Sequence, residues 1–152
     1  SATGTCVIRA TALEGGAYLA ATTDVTLTVT TAAQTITFAA VSDKTYGDSS
    51  FSLTVSASSS LTVTVTPADA SVCTVSGTTV SIVSAGTCSL TASQAGDSEY
   101  DPAPDVTRSF TISPKAITMS VSIAGKNYDG FSSATVSGTP TLSGVVSGDA
   151  NY

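Results

Sequence analysis

Three cysteines and a short run of alternating acids are the side chains of this sequence best suited to chemistry. Cys73 and Cys88 are offset by 15, Cys6 precedes Cys88 at an offset of 82, and Asp97, Glu99 and Asp101 alternate just ahead of Pro102. The chain has no histidine, so Ser-His and Cys-His nucleophilic pairs are excluded on inventory, as is a zinc site built on imidazole. Asp97, Glu99 and Asp101 are a candidate Ca²⁺ site, because a hard cation takes carboxylate oxygens from closely spaced residues. They lack the further ligands and the glycine of a recognised calcium loop, and a solvated acidic loop would use the same residues. Glycoside cleavage would need one acid in an apolar pocket facing a second across a cleft. The acids here stand in turn-like or polar contexts. A Lys to Asn crosslink would have only Asn127 and Asn151 to offer Lys115 or Lys126, and neither asparagine stands at a core-facing strand position. The reading is a chain without catalysis, and with no cofactor beyond the Ca²⁺ candidate.

The cysteines also expose an internal repeat. Gly86-Thr87-Cys88 leads to Tyr100 as Gly4-Thr5-Cys6 leads to Tyr18, at an offset of 82, and Asp105-Val106-Thr107 follows Asp24-Val25-Thr26 at an offset of 81. Gln34-Thr35-Ile36-Thr37-Phe38 returns at the same offset of 81 as Lys115-Ala116-Ile117-Thr118-Met119, and Lys44 to Asp48 returns as Lys126 to Gly130. A period near 82 has the length of one small β-sandwich. In that register residues 1–33 are the C-terminal part of one unit, 34–113 a complete unit, and 114–152 the N-terminal part of a third. The expectation is a window on a longer polypeptide. The cysteine complement fits it: Cys73 and Cys88 pair within the complete unit, whereas the same spacing would put the partner of Cys6 upstream of Ser1, leaving Cys6 unpaired by truncation. A Cys73–Cys88 disulfide implies an oxidising compartment, extracellular or at the cell surface.

Composition narrows the class. Hydrophobic residues make up 41% of the chain, charged residues 11%, and Ser with Thr about a third. That is enough apolar material to bury a core and too little charge for a disordered chain. The net charge is −6, and the five basic residues, Arg9, Lys44, Arg108, Lys115 and Lys126, are scattered, so no cationic patch for nucleic acid is expected. No apolar run approaches the roughly 18 residues of a spanning helix.

The elements that must position the cysteines follow from alternation. Val25, Leu27 and Val29 share one face of their segment, as do Phe51, Leu53, Val55 and Ala57, then Leu61, Val63 and Val65. The same parity places Cys73 with Val75, Cys88 with Leu90 and Ala92, and Cys6 with Ile8 and Ala10 on inward faces. Val106, Phe110 and Ile112 form a later strand with Arg108 on the same face, and Ile117, Met119, Val121 and Ile123 open the third unit. Turn signals at Tyr46-Gly47-Asp48, Ser58-Ser59-Ser60, Ser76-Gly77-Thr78, Ala85-Gly86 and Ala95-Gly96-Asp97 separate these runs. No segment carries a helical stripe. The predicted fold is all-β, with tandem immunoglobulin-like β-sandwich repeats of about seven strands, the first and last incomplete. Outward Thr rows serve as a wet sheet face; an ice- or sugar-binding plane would use the same residues.

Several linked motifs carry a family resemblance. Gln34 to Phe38, Lys44-x-Tyr46-Gly47-Asp48, Gly86-Thr87-Cys88-x-Leu90-x-Ala92-x-Gln94-x-Gly96 leading to Tyr100 and Ala103, and Ser109-Phe110-x-Ile112 resemble the bacterial Ig-like repeats of the MBG type. Lys115-x-Ile117-Thr118, Tyr128-Asp129-Gly130, Ala134 and Leu142 to Asp149 resemble the related YDG repeat. The resemblance implies tandem arrays in large secreted or surface-attached adhesin-like proteins, a stalk or spacer role, and no catalytic residues.

Three functions are in play from the sequence. The first is a spacer segment of an adhesin or surface fibre, whose partners are neighbouring repeats of the same chain, stiffened by short joints at Thr31-Ala32-Ala33 and Ser113-Pro114. The second is a filament subunit with homotypic contacts, because the front part of the third unit and the back part of the first together make nearly one domain. The third is a carbohydrate-binding module. Its aromatic platforms would have to come from Tyr18, Tyr46, Tyr100, Tyr128 and Tyr152, most of which recur in repeat register and so read as packing residues at domain ends.

Overall fold

The computed structural model describes residues 3–17, 19–121, 130 and 140–149. Among them every regular element is a strand, as expected where β-branched Thr and Val dominate and no helical stripe exists. In chain order the strands are β1 (Gly4–Ala12), β2 (Ala21–Val29), β3 (Ile36–Phe38), β4 (Lys44–Thr45), β5 (Phe51–Ser52), β6 (Val55–Ala57), β7 (Thr64–Pro67), β8 (Cys73–Ser76), β9 (Thr79–Ile82), β10 (Gly86–Gln94), β11 (Ala103–Ser113), β12 (Thr118–Ser120) and β13 (Thr141–Ser143).

The central unit, β3 to β11, builds one core from facing sheets. A four-stranded sheet of order β4-β11-β10-β7 supplies Val65, Cys88, Leu90, Ala92, Phe110 and Ile112. The pair β3-β6 and the sheet β5-β9-β8 supply Ile36, Phe38, Cys73 and Val80. Leu90, Val80 and both cysteines are fully buried. The outward face of β10 and β11 is a Ser/Thr ladder, in which Thr91 and Thr107 are hydrogen-bonded at 3.2 Å and Ser109 donates to Ser89 at 3.1 Å. These hydroxyls keep strand propensity while satisfying one another across the pair.

Two strand expectations are corrected, and a third holds with a difference. Phe51 to Ala57 is two strands: Phe51 and Ser52 pair with β9, and Val55 to Ala57 pair with β3, so the chain changes sheets at Leu53-Thr54. Leu61 and Val63 precede β7 rather than belonging to it. Arg108 keeps the inward parity of its strand, opposite Leu90, yet is exposed; its Nε donates to the Phe38 carbonyl at 3.1 Å, because β3 is too short to cover it.

The flanking pieces are two-stranded. β1 pairs antiparallel with β2, and β12 with β13, and all four strands are exposed along their length. Cys6, expected on an inward face, is therefore an exposed free thiol: its face has the predicted parity but nothing lies over it. The hairpin register also differs from that of its repeat. Cys88 faces Phe110, whereas Cys6 faces Leu27 rather than Val29, which is the counterpart of Phe110. A slip from Val29 to Leu27 preserves which side chains share a face, and among the described residues no second sheet packs on the hairpin to pin the register. Ile123, Tyr18, Tyr128 and Tyr152 lie outside the described residues, as do Lys126, Asn127 and Asn151.

Candidate functional site

The chemistry gathered by the fold is that of a clamp with a joint at each end. Cys73 on β8 and Cys88 on β10 form a disulfide with Cα atoms 5.9 Å apart, joining the two facing sheets through the middle of the core. Both positions come from the alternation that buries Val80 and Leu90, so the bond needs no distortion of strand parity.

At one end of the core sits a buried amide that the sequence reading missed. Gln34 is nearly inaccessible, and each of its polar atoms is used: Nε2 donates to Gln94 Oε1 at 2.6 Å and to the Asp101 carbonyl at 2.7 Å, while Oε1 accepts from Ser59 Oγ at 2.5 Å. Gln94 Oε1 also accepts the Gly96 N–H. A buried polar group is tolerated only when its hydrogen bonds are satisfied, and here satisfaction ties the β6–β7 and β10–β11 loops to the start of β3. The available signal was an amide placed directly ahead of a buried alternation, with a second amide at the matching end of β10.

The same end carries the first joint. Ala32 N donates to the Glu99 carbonyl at 2.8 Å, Asp101 N donates to the Ala32 carbonyl at 2.9 Å, and Thr31 Oγ1 donates to the Asp101 carboxylate. The segment leading out of β2 is thus held as a parallel bridge against Tyr100. The loop depends on Gly96, which takes φ +76°; a Cβ there would collide with the Tyr100 carbonyl oxygen and stand 2.8 Å from the Asp101 carbonyl carbon. Gly96→Ala is expected to lower stability by about 2–3 kcal/mol, read as a shifted urea midpoint of the full chain; an unchanged midpoint would show that the loop relaxes freely.

The second joint lies at the opposite end. Tyr46 N donates to the Ser113 carbonyl at 2.8 Å, and β4 runs parallel to β11 through Ile112 and Ser113. Gly47, at φ +91° in a turn closed by Asp48 N on the Thr45 carbonyl, leaves room for the third segment: a Cβ would lie 2.8 Å from Val146 Cγ2 and 3.4 Å from Lys115 Cδ. An open apolar groove of about 450 Å³ lies here, lined by Tyr46, Ala85, Ile117, Leu142 and Val145 among others. Lys44 Nζ sits 4.8 Å over the Phe51 ring, which meets Phe110 edge to face at 5.7 Å. Tyr46 and Tyr100 are half-buried, one at each joint.

The calcium candidate does not assemble. Asp97 Oδ1 accepts the backbone N–H groups of Glu99 at 2.8 Å and Tyr100 at 2.9 Å, and the Asp101 carboxylate accepts from Thr31, so these two acids are spent on folding the loop. Among the described residues no three His, Cys, Asp or Glu side chains gather closely enough to hold a metal ion. On the first hairpin Arg9 Nε and Nη2 reach Asp24 Oδ1 and Oδ2 at 2.7 and 2.8 Å, and this bidentate pair holds the Asp24 carboxyl below its ordinary range and raises the guanidinium. Ser71, through its hydroxyl and backbone N–H, likewise lowers Asp69. These are exposed groups that shape turns and ladders. Among the described residues no helix is long and apolar enough to cross a membrane.

No family model matches the chain, and no curated protein or solved structure matches it either.

Proposed function

We propose that this chain is a non-catalytic spacer, a stalk segment of a bacterial extracellular adhesin or surface fibre, built from immunoglobulin-like repeats of the MBG type followed by a YDG-type repeat. The observation that carries this reading is the placement of the two joints. The chain is bonded to the central unit through Ala32 beside the start of β11 and leaves through Pro114 after its end. β11 has 11 residues, so the joints are separated by about 33 Å along one strand. Units joined in this way add length, and the backbone hydrogen bonds of Ala32 with Glu99 and Asp101 resist bending at the first joint. The Cys73–Cys88 bond supports an oxidising, extracellular setting.

Stretching the whole chain by its two ends tests the reading. Under oxidising conditions the segment between the cysteines, with its sequence separation of 15, stays locked; after reduction the unfolding step of the central unit lengthens by about 50 Å. A spacer is expected to hold the central unit closed until both flanking hairpins have extended. Opening of the central unit first, or saturable binding of the intact chain on a glycan array, would overturn the proposal, the second result in favour of a carbohydrate-binding module.

A further inference from the structure

Solvent reaches neither end of the Cys73–Cys88 bond. Both cysteines are 0% exposed, within a core that also holds Val80, Leu90, Phe110 and Ile112. Cys88 stands on β10, which has β11 along one edge and β7 along the other. Cys73 opens β8, an edge strand whose entrance is closed by a corner: the Val72 carbonyl accepts from Val83 N at 2.9 Å and Ser84 N at 3.1 Å, and Ser84 Oγ donates to the Ser71 carbonyl at 2.8 Å. Both Val72 methyls would lie 3.4 Å from a Cβ at Gly86, so Val72 covers the first residue of β10. Reduction begins when a thiolate attacks one disulfide sulfur, and its rate depends on access to that sulfur. A thiolate is an anion, and bringing it unpaired into an apolar interior is strongly unfavourable.

We propose that the bond is a latch gated by the opening of the central unit: inert toward small thiols while the facing sheets are closed, and cut once they part. In the open unit a thiolate of a small-molecule dithiol attacks Sγ of Cys73 or Cys88, the S–S bond breaks, and the other cysteine leaves as a thiolate that takes a proton from water. The second sulfur of the dithiol then attacks the mixed disulfide and releases the first cysteine. Two electrons thus pass to the cystine from the dithiol, which becomes a disulfide. When the sheets close again the unit lacks its clamp, whose chain-entropy contribution at a sequence separation of 15 corresponds to about a 100-fold shift in the opening equilibrium. One opening in the presence of a thiol makes the next one easier. This inference does not depend on the spacer reading.

The full chain carrying Cys6→Ser, which leaves Cys73 and Cys88 as its only cysteines, tests it. Dithiothreitol is added to the folded chain and to the chain in urea, the reactions are stopped with acid, and thiols are counted by mass after alkylation of the unfolded chain. Reduction of the folded chain is expected to be at least about 1,000-fold slower, because only the open population of a stable domain reacts. A smaller ratio overturns the proposal, since a thiol would then reach the bond between closed sheets. Ile36 lies on β3, in a strand pair that carries neither cysteine. Ile36→Ala should speed reduction by the factor, about tenfold or more, by which it raises the unfolded population in a urea titration. A rate that ignores the substitution would mean that β8 peels away alone, and overturns the latch as well; Ile36→Val, with an effect of about threefold, is the substitute if the alanine variant does not fold. The chain reduced in urea and refolded by dilution is then exposed to N-ethylmaleimide. Relative to the unfolded chain, its two thiols are expected to be about 100-fold less protected than the bond was. Equal protection would mean that the cut leaves opening unchanged, and would sink the proposal.

Discussion

Reduction and alkylation of Cys73 and Cys88 is expected to lower the melting temperature of the central unit by about 12–24 °C. The bond closes a loop at a sequence separation of 15, for which the chain-entropy estimate is about 3 kcal/mol, and each kcal/mol moves the midpoint of a domain of this size by about 4–8 °C. The effect is large because the whole stability of such a domain is about 5–15 kcal/mol. Cys73→Ser with Cys88→Ser should reproduce the loss without a reductant. Both side chains are fully buried, so the double variant also places two hydroxyls in an apolar core and should melt somewhat lower still. Differential scanning calorimetry gives the comparison, and an unshifted endotherm in the reduced chain would mean the bond adds nothing to the packing around it. Cys6 is exposed and free, so alkylating it alone should leave the endotherm where it was.

Leu90→Ala and Ile8→Ala form the second test, because the two residues hold equivalent places in the repeat and opposite places in the structure. Leu90 is fully buried between the sheets beside Cys88, and its truncation leaves a cavity in a tightly packed interior, costing about 2–5 kcal/mol. Ile8 lies on an exposed face of a two-stranded ribbon, where losing the same methyl groups in a dilute, monomeric chain changes stability by no more than about 0.5 kcal/mol. Urea titrations of both variants at low concentration measure the contrast. Equal effects would mean that the first hairpin is covered in solution.

Alternation made the core legible. Every second residue from Cys88 to Ala92, and again from Phe110 to Ile112, points inward because a strand has period two and the other face must stay wet. The pairing of Cys73 with Cys88 was legible for a different reason: the repeat set Cys6 aside, and parity put the remaining two on facing interiors. Burial of the outer units was not legible from the same signal. Parity states which side chains share a face, and Ile8 and Met119 share the right ones, but whether a second sheet covers that face is settled by contacts remote in sequence.

The crossing at Leu53-Thr54 was hidden for a related reason. An extended chain keeps its alternation while it leaves one sheet for another, so Phe51 to Ala57 reads as continuous although its two halves pair with β9 and β3. Gln34 was hidden by composition, since an amide ahead of a strand ordinarily faces water, and only the approach of Gln94, Ser59 and the Asp101 carbonyl makes it an interior residue. The acids of the 97–101 loop misled in the opposite direction. Their spacing suits a cation, but backbone N–H groups and a threonine hydroxyl reach Asp97 and Asp101 first.

The parallel run of β4 beside β11 has a mechanical consequence. Traction on the two joints drags β4 toward one end of the core and β11 toward the other, so the Tyr46 N–H to Ser113 bond and the Thr111 N–H to Asp43 carboxylate bond, 2.8 and 2.7 Å long, slide against each other together instead of unzipping one at a time. A seam loaded sideways yields only when its rungs fail in concert, and this one, though only Lys44 and Thr45 long, stands where the pull arrives.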